Sequence, residues 1–165
     1  MPEMPEPDDF PADEIIAEMY CHIIFWTRDL QPALSRKMLA GAREVMDQAM
    51  FTVEGEALAA GGAENHLHIL ARLSPNHSLA EVLDTLRRHW AAWVATACGK
   101  KDFSWHEDDV AVSISPDDLS STREFIERQA PHHEAVTFHR ELTAILDENG
   151  IDYDERELWG QIHAE

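Results

Sequence analysis

Two histidines one residue apart, in Asn65-His66-Leu67-His68-Ile69-Leu70, are the residues of this chain best suited to chemistry. On a β-strand alternate side chains leave by opposite faces, so His66 and His68 share one face while Leu67 and Ile69 take the other. Two neutral imidazoles side by side can hold a divalent cation. A third ligand has to come from another element, and the carbonyl oxygen of Gln129 suits that task. Phe125 precedes Gln129 by one helical turn, on the same helix face, so the side chain at 125 looks toward the cation. By pattern alone, the same residues also read as ordinary strand histidines and one more core phenylalanine.

The elements that must position these residues are legible in outline. Tyr20 to Thr27 is a β-rich run, and Ser35 to Phe51 reads as a helix with Met38, Leu39, Ala42, Val45, Met46 and Ala49 on one face. A short strand around Leu58, a turn at Gly61-Gly62 and the histidine strand to Leu73 follow. Ser78 opens a second helix whose stripe is Leu79, Val82, Leu83, Leu86, Trp90, Trp93 and Val94. Trp90 and Trp93 continue that stripe, which favours a core role over base stacking. Val110, Val112 and Ile114 alternate as a strand. Ser115-Pro116 then starts a helix, serine as cap and proline at the first helical position. In that helix Leu119, Ile126 and Ala130 form one stripe, and Asp118, Thr122, Phe125 and Gln129 its neighbour; Pro131 ends it. A last helix, Phe138 to Asn149, turns Leu142, Ile145 and Leu146 inward and stops at Gly150. Two successive strand-helix-strand units with extra C-terminal helices predict an α+β ferredoxin-like sandwich, an antiparallel sheet with helices on one face.

Composition bounds what this fold can do. The chain has 165 residues, 44% of them hydrophobic, enough for one domain with a real core. Residues 1–18 contain prolines 2, 5, 7 and 11 and read as an acidic, disordered arm; 19–130 form the main domain, and 131–165 a C-terminal helix and acidic tail of the same domain. No stretch approaches the roughly 20 apolar residues of a membrane span, and no basic segment followed by an apolar one opens the chain. Cys21 and Cys98 are too few for a disulfide framework and read as two buried thiols, so a cytoplasmic location is expected. The net charge is −19, with −7 in residues 1–18, −6 in 147–165 and −6 between them. DNA affinity draws on Lys and Arg that neutralise phosphates, so this balance opposes non-specific DNA binding. Arg87-Arg88 and Lys100-Lys101 are the candidates for a local basic strip. The acidity also fits a solvated surface suited to high salt.

Three blocks carry a resemblance to a known family. They are Tyr20 to Thr27, Gly61 to Leu70 around the histidine pair, and Val112 to Trp159 with Ser113-Ile114-Ser115-Pro116, Phe125-Ile126-Glu127-Arg128-Gln129, His132-His133 and Gly150-Ile151-Asp152-Tyr153-Asp154-Glu155-Arg156. In this order and spacing the chain resembles the single-tyrosine HUH transposases of small bacterial insertion sequences and the related REP-associated tyrosine transposases. The resemblance implies the same HUH endonuclease-like α+β fold. It also implies Mg²⁺ or Mn²⁺ held by His66, His68 and Gln129, and a homodimer whose sheets join. In the family a tyrosine oxygen attacks a scissile phosphodiester of single-stranded or hairpin DNA and stays covalently linked to it. That tyrosine stands where this chain has Phe125, and a phenyl ring has no such oxygen. Tyr20 and Tyr153 are the only tyrosines, and neither occupies the nucleophile's place. Asn65 stands where an aspartate commonly precedes the first histidine.

Three functions are compatible with this sequence. One is a transposase-family enzyme stopped at its nucleophile, by natural loss or by a deliberate Tyr-to-Phe change. Another is a regulator that binds single-stranded or hairpin DNA without cutting it. The last is an acidic protein-interaction module that has abandoned nucleic acid. His132 and His133 match a pair in the family and read as structural or DNA-adjacent; His22, His77, His89, His106, His139 and His163 have no spacing that singles them out.

Overall fold

A computed structural model describes residues 15–129 and 136–159. Most of the acidic arm, Ala130, Pro131, His132, His133 and the last six residues lie outside them.

Strand alternation builds the centre of the fold. β1 (Met19–Trp26) pairs antiparallel with β3 (His66–Leu73) on one side and with β4 (Val110–Ile114) on the other, and β2 (Glu56–Ala63) completes the sheet in the order β2-β3-β1-β4. Cys21, Ile23, Phe25, Leu67, Ile69 and Ala71 leave by one face and join the principal apolar core. Two helices cover that face. They are α1 (Arg36–Phe51), capped by the Ser35 hydroxyl on the Met38 amide, and α2 (Leu79–Ala97), capped by Ser78 on the Glu81 amide. Trp90 is fully buried in this core and Trp93 packs against it, as their helical stripe predicts. Arg87 of α2 lies over the Phe25 ring and grips Asp109 through both Nε and a terminal nitrogen, fastening the start of β4. Burial nevertheless holds the Asp109 carboxyl above its ordinary value, outweighing Arg87.

The opposite face carries the C-terminal elements. A 3₁₀ turn at Pro116–Asp118 leads into α3 (Leu119–Glu127), followed by α4 (Phe138–Glu148) and α5 (Glu155–Trp159). Ile126 of α3 packs on Ala59 and Leu70, while Phe138, Leu142 and Leu146 of α4 pack with Leu158 and Trp159 over Ile24, Trp26, Val110 and Val112. Ile145 and Ile114 join that second core partly buried. Gly150 ends α4 at a φ of 65°, a conformation that suits glycine.

Three expectations from sequence need correction. Gly61-Gly62 is not a turn: both glycines lie inside β2, and the chain reverses at Glu64-Asn65. The reason is close packing, because a Cβ on Gly61 would stand 2.2 Å from the Ile126 carbonyl oxygen of α3. Glycine here lets a helix backbone rest directly on the sheet. Ser115 makes no side-chain cap, and its first turn is 3₁₀. Cys98 is only half-buried, whereas Cys21 is buried and its thiol is pushed up to about 11 by burial. Gly61→Ala should therefore lift α3 and lower stability by about 1–3 kcal/mol, the usual cost of overpacking, as read by a lower urea midpoint. An unchanged midpoint would mean that α3 does not rest on this glycine.

Candidate metal centre

Side-chain direction on two strands and two helices brings the polar groups of the second face together. His66 and His68 project from β3 with no exposed surface, and His22 projects beside them from β1. α3, seated on Gly61, ends just before Gln129, which is 1% exposed. Gln129 thus reaches the histidines from above the sheet. α4 adds Phe138 and Glu141 from its buried stripe.

The geometry is that of converging acceptors. The Nδ1–H of His66 donates to Asn65 Oδ1 at 2.8 Å, which leaves its Nε2 facing Gln129 Oε1 at 2.9 Å and Glu141 Oε1 at 3.6 Å. The Gln129 amide nitrogen donates to the Phe125 carbonyl at 3.3 Å and so turns its oxygen toward His66. His68 Nε2 lies 2.5 Å from Glu141 Oε1, and its Nδ1 shares an N–H with His22 Nε2 at 2.7 Å. Burial first, then the neighbouring His68, lowers the His22 pKa to about 3, so His22 is neutral at ordinary pH and can fix the tautomer of His68.

An imidazole nitrogen that faces two side-chain oxygens needs positive charge between them, as a proton or a metal ion. The spacing fits an ion. In an octahedral shell with ligands at about 2.0–2.1 Å, adjacent ligand atoms stand about 3 Å apart. The pairs from His66, at 2.9 and 3.6 Å, bracket that value, and the His68–Glu141 pair has to open by about 0.5 Å to reach it. His66, His68 and Glu141 each offer an atom within 4.8 Å of the others, the only such cluster among the described residues.

Phe125 stands against this cluster. Its ring meets His68 edge-on at 5.4 Å between centroids and His22 at 6.1 Å. Half-buried, it lines a cleft of about 240 Å³ with His22, Val112, Ile114, Ser121, Thr122 and Ile145 among its walls. A ring at this position faces both the histidines and an open space.

The residues singled out by sequence, His66, His68, Gln129 and Phe125, are thus gathered in one place. Two contributors were missed. Glu141 falls on the inward stripe of α4 between Phe138 and Leu142, and a carboxylate on a buried stripe is itself a signal of a partner. His22 alternates with Ile24 and Trp26 on β1, which put it on the same face as the pair. The Arg87-Arg88 strip on α2 is not free for phosphates: Arg87 holds Asp109, and Arg88 pairs with Asp84.

Comparison with known proteins agrees with this architecture. The family model described as "Transposase IS200 like" matches residues 15–129. Among solved structures, the chain is similar to a protein from Deinococcus radiodurans described as a transposase, at 16% identity and a TM-score of 0.55, over 73% of this chain and 97% of that one. It is also similar to a REP-associated tyrosine transposase bound to a REP hairpin, at 15% identity and a TM-score of 0.53, over 88% of this chain and 92% of that one. No curated protein matches it. These structural likenesses establish the α+β fold with its four-stranded antiparallel sheet.

Proposed function

The chain belongs to the IS200-like transposase family, and on that premise we propose that it is a transposase-family protein whose single-stranded DNA nicking site has lost its attacking hydroxyl. The observation that carries this reading is the position of Phe125, one turn before Gln129 and edge-on to His68. His66, His68 and Gln129 would hold Mg²⁺ or Mn²⁺, with Asn65 and His22 fixing the two imidazoles in tautomers that offer lone pairs. The ion, when bound, supplies charge that polarises a phosphodiester. Phe125 then places an apolar edge where the family has a nucleophile. No oxygen is present to form a covalent link, so strand transfer stops before its first bond. A homodimer is part of the same reading, and sedimentation of the purified chain tests it.

The net charge supports a second reading, in which DNA is no longer a partner. Besides the engaged arginines of α2, the larger cleft of about 570 Å³ has Arg28 and Lys100 in its wall but also Asp29 and Asp102. The deciding experiment is binding to a single-stranded hairpin DNA with and without Mg²⁺ or Mn²⁺. A site that engages DNA through its metal binds more tightly with the ion present. Loss of all hairpin binding, with the ion taken up normally, would favour the interaction module.

Salt dependence gives the same choice a number. A chain that makes four phosphate contacts to single-stranded DNA would show a log–log slope of about −3 against salt, at roughly −0.7 per contact. The expected slope is shallower than that. Tight binding at physiological salt with a steep slope would overturn the argument from acidity.

A further inference from the structure

Glu141 is 4% exposed, and its described partners are the two histidines of the pair. It sits on a helix otherwise anchored by Phe138, Leu142 and Leu146, and its Oε1 lies 2.5 Å from His68 Nε2 and 3.6 Å from His66 Nε2. From the same helix the Phe138 ring lies flat on His66, 4.2 Å between centroids and 14° between planes. Thus α4 does more than pass by the histidines: one of its residues covers an imidazole and the next turn delivers an oxygen.

We infer that Glu141 is a fourth protein ligand, brought by α4, which closes the metal centre and makes the ion a fastener between α4 and the sheet. The inference rests on the metal-binding reading above. Four protein atoms then surround the ion: His66 Nε2 and His68 Nε2 from β3, Gln129 Oε1 from beyond α3, and Glu141 Oε1 from α4. Metal sites that work on substrates keep a position open, whereas structural sites fill their positions with side chains. Glu141 takes one of the positions that three ligands would leave open, and Phe138 roofs His66, which moves the centre toward the second kind. The ion would couple three separate stretches of chain, so its removal would loosen α4 first.

The test uses the full chain with Mn²⁺ alone as the probe. Calorimetry should show binding to the wild type, and a hundredfold excess over Kd should raise Tm by roughly 5 °C or more. Glu141→Gln should weaken binding at least about tenfold and, at the same Mn²⁺ concentration, lose about half of that rise or more. Water-proton relaxation of the wild type, which needs no variant to fold, should show about two exchanging waters on the bound ion, because four of six positions are taken. Three or more waters, or unchanged affinity and Tm shift in Glu141→Gln, would overturn the closed centre and leave the metal-binding reading standing. Failure of the wild type to bind Mn²⁺ would overturn both.

Discussion

Replacing His66 and His68 together by alanine is expected to lower Mn²⁺ affinity on the order of a thousandfold, since each lost ligand should cost at least the 10–100-fold seen when a supporting partner is removed. Both rings are completely buried and their Nε2 atoms face side-chain oxygens, so no other described group can take their place at that point. Affinity of the unmodified chain should also fall on acidification, because an imidazole must give up its proton to bind a metal. Circular dichroism separates loss of the ion from loss of the fold. Equal Mn²⁺ uptake by the double variant and the wild type, measured by calorimetry, would remove the site from this face of the sheet.

The second large effect belongs to Phe125→Tyr. Phenylalanine and tyrosine differ by one oxygen, and the ring at 125 is half-buried against a cleft of about 240 Å³, so the added hydroxyl has room without refolding the helix. That oxygen would stand beside His68 and one turn from Gln129, where a phosphodiester held by the ion would be within reach of attack. With hairpin DNA and Mn²⁺, the variant should give a covalent protein–DNA band on a denaturing gel. Adding Glu141→Ala, which removes the fourth ligand, should increase the yield at saturating Mn²⁺. A variant that binds DNA and Mn²⁺ yet forms no adduct in either background would mean that more than the hydroxyl has been lost.

The positions of these residues could be read from sequence because they obey simple periodicities. His66 and His68 follow the two-residue repeat of a strand whose other face is Leu67 and Ile69, and burial on both faces leaves that register little freedom. Phe125 and Gln129 follow the helical repeat. Glu141 is hard to see in the sequence because a carboxylate counts as polar in any apolar stripe, so the inward face of α4 reads as Leu142, Ile145 and Leu146 alone. Its place on the buried stripe signals a partner, but that partner lies 73 residues away, so no local window identifies it. Gly61-Gly62 misled for a related reason: glycine pairs suggest turns, but here the absent Cβ makes room for the Ile126 carbonyl, a tertiary demand that no window of sequence contains. His22 shares its alternation with Ile24 and Trp26, and only the pairing of β1 with β3 shows that it meets His68.

The most direct test of the missing nucleophile is the intact mass of the unmodified protein after incubation with hairpin DNA and Mn²⁺. The mass should remain that of the polypeptide, because Phe125 offers no oxygen to a phosphodiester. A species heavier by a linked oligonucleotide would contradict the account, since another residue of this chain would then be the nucleophile.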